Sequence, residues 1–124
     1  MIYTEHTKRA ARLCYAALKN KLTLDGIPVI LDWFIIAHQC PDENTTVAAL
    51  LHGAVDSGVF DLAFVKNQGF PEDAIYALEL LLLHKDLPYE NYLERVQTCP
   101  IAWVVKHLEL EQKGTIGRLE RAVA

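Results

Sequence analysis

Apolar side chains recur every three or four residues along most of this 124-residue chain, as they do in amphipathic helices. No stretch keeps the strict alternation of polar and apolar residues that marks a half-buried strand. Turn and helix-end signals such as Asp25-Gly26, Cys40-Pro41 and Pro88 separate the periodic stretches. A chain of this length suits one domain. The sequence therefore predicts a single, compact all-α bundle of about six to eight helices spanning residues 1–124.

Charge and composition exclude several functional classes. The formal net charge is −4, whereas a nucleic-acid surface is usually basic and clustered. No apolar run reaches the roughly 18 residues that a membrane span requires, and the charged segment TEHTKRAAR contains no signal-peptide core. Cys14, Cys40 and Cys99 are widely spaced and odd in number. We therefore expect buried, reduced thiols in a cytoplasmic protein that binds neither nucleic acid nor membranes.

The second predicted helix, VILDWFIIAHQ, is apolar on every side and is expected to be buried all round. Asp32 interrupts it, and a carboxylate in an apolar interior needs a partner. This residue is either a structural ion pair or cap, or part of a ligand site. Near the other end of the chain, Gly114 is predicted to separate a final short helix, TIGRLERAV, from the one before it.

Another candidate site lies in the stretch LLHGAVDSG, residues 50–58. His52 and Asp56 are four residues apart and so share one face of a helix, a spacing that can present two ligands to one ion. A satisfied core histidine is the alternative. Glu109 borders the apolar stripe of a later helix and is either a solvated surface acid or part of the same site.

Four stretches of the chain form a longer pattern. They read DGIPVIL, DENTTVAALLHGAVDSG, GFPEDAIYALELLLLHKDLPYENYLERV and CPIAWVVKHLELEQ. In this order they resemble the HD-domain metal-dependent phosphohydrolases, in particular small single-domain relatives of the RelA/SpoT-type stringent-response hydrolase domain. The resemblance runs from about Thr4 to Leu119 and implies a helical bundle of the HD-domain type.

The resemblance also implies a metal centre. In such hydrolases a first His, a His-Asp pair and a distant Asp hold a divalent ion, which lowers the pKa of a bound water and polarises the phosphoryl group. By position, Asp32 stands where the first His is expected, and His52 retains the His of the pair. Gly53 replaces the aspartate of the pair and offers no ligand, while Glu109 takes the place of the distant Asp. The missing side chain at Gly53 leaves either a pocket or a space that a neighbour fills.

The positions that serve substrate in this family have also changed. Asp56 and Ser57 replace the acidic pair that helps to activate water, so Asp56 is the one catalytic candidate. Gln112 and Lys113 replace the His-Asn pair, and Lys113 is a candidate ligand contact.

These changes support two hypotheses. One is an HD-like protein without ordinary hydrolase activity and without a cofactor, which binds a nucleotide-like molecule, a second copy of itself or another protein. The alternative is a divergent Mn²⁺- or Mg²⁺-dependent hydrolase of nucleotides, of the guanosine tetraphosphate type, that uses Asp32, His52, Asp56 and Glu109. These ions favour oxygen ligands, which the three carboxylates would supply.

Overall fold

The computed structural model describes the backbone of residues 1–123 and the side chains of residues 1–113. In this part of the chain there are seven α-helices, one short 3-10 helix and no strand beyond an isolated bridge between Leu22 and Pro28. The helices are α1 (Glu5–Leu18), α2 (Val29–Gln39), α3 (Glu43–Asp56), α4 (Leu62–Lys66), α5 (Glu72–Leu81), the 3-10 helix (Leu82–Lys85), α6 (Tyr89–Gln97) and α7 (Pro100–Val123). The prediction of an all-α bundle is confirmed.

Side-chain caps begin α1 at Thr4 and α3 at Asp42. The Thr7 N–H donates to Thr4 Oγ1 (3.2 Å), and the Thr45 N–H donates to Asp42 Oδ1 (2.8 Å). In both caps the third helical residue bonds back to the backbone N–H of the cap. Such a cap stabilises a helix by about 1 kcal/mol. It also fixes where α3 begins, and so which of its residues face which neighbour.

Helix α3 is the centre of the bundle. It packs against α1, α2, α5 and α7, and every residue from Thr45 to Ala54 is buried. Several of these residues are small, including Ala48, Ala49 and Gly53, so the neighbouring helices can approach α3 closely. His52 and Gly53 therefore lie in the interior of the molecule.

The expectation that helix α2 is buried all round is wrong. Only Trp33, Ile36 and Ala37 are buried, while Leu31 is 47% and Ile35 is 42% exposed. The reason is that α3, with its small side chains, takes the central position and α2 packs on one side of it. Apolar residues on the far side of α2 consequently face solvent.

The expected break at Gly114 is also absent, because α7 is a single helix from Pro100 to Val123. A glycine costs a helix interior only about 1 kcal/mol, which is too little by itself to end a long helix. Cys14, Cys40 and Cys99 are buried and free, as predicted. Within the described residues, no helix combines the length and apolar character needed to cross a bilayer.

Candidate functional site

His52 projects from the central helix into a nearly dry environment. Its side chain is 1% exposed, and neither ring nitrogen forms a hydrogen bond within the described part of the chain. The Nδ1 atom lies 3.8 Å from Glu109 Oε2, which is too long for a hydrogen bond. The Trp33 ring packs against the imidazole edge to face, with 4.9 Å between ring centroids. An imidazole without partners is costly in an interior, so His52 calls for a functional explanation.

Glu109 reaches the same interior region from α7. It is only 6% exposed, so the alternative of a solvated surface acid is wrong. Lys113 Nζ lies 3.0 Å from Oε1 of Glu109, and the buried Lys106 Nζ lies 3.6 Å from Oε2. The Lys106 ammonium also lies 5.3 Å from the centre of the Tyr92 ring. Two cations on the same helix therefore compensate the charge of this carboxylate.

Burial and charge set the protonation states of these groups. Burial lowers the pKa of His52 well below its usual range, and this outweighs the opposite effect of the Glu109 and Asp56 carboxylates. For Glu109, burial alone would raise the pKa, but His52, Lys106 and Lys113 together outweigh burial and lower it. At neutral pH the site therefore contains a neutral imidazole beside an ionised carboxylate, and Lys106 and Lys113 are the cations next to that carboxylate.

The space beside Gly53 is filled by Trp33. A Cβ atom added at Gly53 would lie 2.7 Å from Trp33 Cγ and 2.9 Å from both Cδ1 and Cδ2. These atoms belong to the base of the indole rather than to a flexible end, so any side chain at position 53 would have to displace the ring. The space beside Gly53 is therefore filled by a neighbouring indole and is not a pocket.

A second group of donors forms where α3 ends. Asp56 lies in the last turn of α3 and His84 in the 3-10 helix, with 3.3 Å between Asp56 Oδ1 and His84 Nε2. One donor atom each from His52, Asp56 and His84 lie within 4.8 Å of one another. We call these three residues the His-Asp-His group. It is the arrangement in the described chain with the clearest capacity to hold a metal ion.

The sequence patterns do not identify His84 as a candidate metal ligand. Its only local signal is its place directly after the apolar run Leu80–Leu83, which is equally typical of a helix end. His84 lies in the 3-10 helix directly after α5, and the end of α5 is held by a buried hydrogen bond of 2.9 Å in which the Tyr92 hydroxyl donates to the Leu81 carbonyl. The Tyr92 ring also packs edge to face on His84, at 5.8 Å between centroids.

Asp32 stands apart from both arrangements. It lies in the first turn of α2 and is half-buried. Its carboxylate forms no hydrogen bond or ion pair with another described residue, and it is not a member of the His-Asp-His group. Of the predicted ligand residues, Glu109 and Asp56 both lie close to His52. Asp32 is not part of either arrangement.

No protein-family model matches this sequence, and a search of curated proteins likewise finds no match.

Proposed function

We propose that this chain is an HD-like helical module that has lost ordinary metal-dependent phosphoester hydrolysis and acts by binding a ligand or partner. One observation carries the proposal: Trp33 occupies the place that a side chain at Gly53 would need. In the resembling hydrolases this place belongs to the aspartate of the His-Asp pair. An indole supplies no oxygen ligand, and it closes the space that the side chain of a ligand at position 53 would use.

The remaining inherited positions also fit a divalent ion poorly. Glu109 is already compensated by Lys106 and Lys113, so a metal would have to compete with two ammonium groups for this carboxylate. Asp32 has no contact with either His52 or Glu109 among the side-chain interactions of the described residues. Metal sites tolerate little looseness in their ligands. This argues against an Mg²⁺ or Mn²⁺ centre built from Asp32, His52 and Glu109.

A nucleotide panel that includes guanosine tetraphosphate tests the loss of hydrolysis. With Mn²⁺ or Mg²⁺ present, we expect phosphate and pyrophosphate release to stay at the level of a protein-free blank. Turnover that disappears in a Glu109→Gln variant would overturn the proposal, because it would show that the inherited centre still works. Turnover that persists in that variant would come from the His-Asp-His group or from a contaminating phosphatase, and Asp56→Asn and His84→Gln variants would distinguish these two sources.

The binding role is tested by the melting temperature of the same protein. A ligand that binds only the folded state raises this temperature with concentration. We expect a nucleotide-like anion to do so without added metal, and a Lys113→Ala variant to weaken the effect, because Lys113 is an exposed cation beside the buried carboxylate. Lys66→Ala, which alters an exposed lysine paired with Glu79, serves as the control.

A divergent phosphohydrolase is the second candidate, and the His-Asp-His group is the observation that favours it. Two imidazoles and a carboxylate can hold a transition metal and leave a coordination position for water. Activity of this kind would depend on Asp56 and His84 rather than on Glu109. Turnover that disappears in both Asp56→Asn and His84→Gln variants would support it.

A further inference from the structure

We infer that His52, Asp56 and His84 bind one borderline-soft divalent ion, with Zn²⁺ as the reference case. This set shares His52 and Asp56 with the residues of the divergent hydrolase suggested by the sequence, but it contains His84 in place of Asp32 and Glu109. Two imidazole nitrogens and one carboxylate oxygen suit Zn²⁺, Co²⁺ or Ni²⁺, whereas Mg²⁺ and Ca²⁺ prefer all-oxygen surroundings. The inference does not depend on whether the chain hydrolyses any substrate.

The distances in the group match this chemistry. Two ligands of a tetrahedral ion at about 2.0–2.1 Å from the metal lie about 3.3 Å from each other. Asp56 Oδ1 and His84 Nε2 have a separation of 3.3 Å. The third donor, from His52, completes a set in which no pair is more than 4.8 Å apart. Because the side chains of Asp56 and His84 are partly exposed, they can shift toward the buried His52 by rotamer adjustment.

The second, independent observation is the unpartnered state of His52. Both of its ring nitrogens are buried without a hydrogen bond in the described residues, which a well-packed interior seldom tolerates. Nδ1 faces Glu109 Oε2 at 3.8 Å. A carboxylate beside one ring nitrogen orients the imidazole so that the other nitrogen binds the metal. An ion in the His-Asp-His group would therefore satisfy His52, and Glu109 would act as its positioning residue.

The surroundings leave a path for the ion and an open coordination position. Asp56 is exposed and His84 is half-buried, so one side of the group faces solvent. The hydrogen bond from Tyr92 of α6 to Leu81 fixes the end of α5 from which the 3-10 helix continues, and this limits how far His84 can move away. Three protein ligands leave a fourth tetrahedral position for water or a small anion.

Competition for Zn²⁺ between the protein and a chromophoric chelator tests the site. The sample is the full chain without a histidine tag, from which EDTA has removed bound metal. We expect one Zn²⁺ per chain, and Co²⁺ in its place should give the visible absorption bands of a tetrahedral complex. Asp56→Asn and His84→Gln should each weaken Zn²⁺ binding by at least about tenfold. Both residues lie at the surface side of the group, and far-ultraviolet circular dichroism checks that the variants fold.

His107→Gln is the matched control. His107 also pairs with a carboxylate, since its Nε2 lies 3.1 Å from Glu111 Oε1, but both side chains are exposed on α7. This variant should bind Zn²⁺ as the unchanged chain does. Failure of the unchanged chain to bind Zn²⁺ at millimolar concentration would overturn the inference. Equal affinity in the folded His84→Gln variant would overturn it as well.

Activity measurements on the same samples separate this inference from the proposed function. Zn²⁺ binding without nucleotide turnover supports both. Turnover that depends on Glu109 with no Zn²⁺ binding at the His-Asp-His group would contradict both. Zn²⁺ binding with turnover that His84→Gln abolishes would uphold the metal site and reject the loss of hydrolysis.

Discussion

Gly53 and Trp33 form one packing unit in the interior of the protein. A glycine in a helix interior is unfavourable by about 1 kcal/mol relative to alanine, so its presence in α3 needs a compensating contact. The indole supplies it, because Trp33 lies where the first side-chain atom of any other residue would be. The edge-to-face contact between Trp33 and His52 adds to the same unit.

This contact predicts that the effect of Gly53→Ala changes sign with the residue at position 33. In the unchanged chain the variant should lower the free energy of unfolding by about 1–3 kcal/mol through overpacking. In a Trp33→Ala background, where no indole opposes the methyl group, Gly53→Ala should be neutral or stabilising by up to about 1 kcal/mol. Urea denaturation of the four proteins measures the coupling.

Trp103→Ala provides the control background, because Trp103 is a partly exposed residue of α7. There Gly53→Ala should be as destabilising as in the unchanged chain. Additive effects at positions 33 and 53 would show that the indole moves aside without cost, and therefore that it does not exclude a side chain at position 53.

At the scale of whole elements, hydrophobicity alone suggests that α2 occupies the centre of the bundle, but α3 occupies it instead. Helix α2 is the more apolar in sequence, yet α3 is the one that neighbours surround. Side-chain size explains this, because alanine, threonine and glycine let four helices approach α3, whereas the bulky residues of α2 hold neighbours away. As a consequence, α2 has one apolar side that is buried and another apolar side that is exposed.

Two adjacent isoleucines of α2 test this division. Ile36 is 2% exposed, whereas Ile35 faces solvent. Ile36→Ala should lower the free energy of unfolding by about 2–4 kcal/mol, because it leaves a cavity in the core. Ile35→Ala should change it by less than about 1 kcal/mol, since this side chain is 42% exposed and its loss leaves no enclosed cavity. Equal losses in urea denaturation would mean that the outer side of α2 is covered in solution.

The contrast between the two helices shows how far sequence patterns reach. Turn signals and helical spacing are local, and they correctly predicted an all-helical chain with breaks at Asp25-Gly26 and Cys40-Pro41. Spacing also placed His52 and Asp56 on one face of α3. The choice of the central helix depends on how side-chain sizes fit together across the whole bundle. The sequence of a single segment does not determine this choice.

The site required the same long-range information. Residue type and position indicated His52, Asp56 and Glu109, but the contact of Trp33 with Gly53 joins two helices that the sequence separates by a loop. His84 reaches Asp56 over 28 residues, through a 3-10 helix that continues α5. No spacing rule links these positions, so the filled space at Gly53 and the His-Asp-His group emerge only from the folded arrangement.

For the whole molecule, the buried imidazole and carboxylate make stability depend on pH. The pKa of His52 is lower in the folded state than in the unfolded chain, where it is near 6.5. Between these two pKa values only the unfolded chain binds the proton, so stability is fully present above pH 6.5 and is lost as the pH falls. The depressed pKa of Glu109 acts in the same direction but begins only below its unfolded value of 4.5.

The free energy of unfolding, measured by urea denaturation with a chelator present to remove metal ions, should therefore fall by roughly 2 kcal/mol between pH 7 and pH 5 because of His52. His52→Gln should flatten this part of the curve, whatever its effect on stability at pH 7, and His107→Gln should leave the slope unchanged. The further loss below pH 4.5 should persist in His52→Gln and shrink in Glu109→Gln. If His52→Gln keeps the full slope between pH 7 and pH 5, the imidazole is not held neutral by burial, and the account of an unpartnered His52 in a dry interior is wrong.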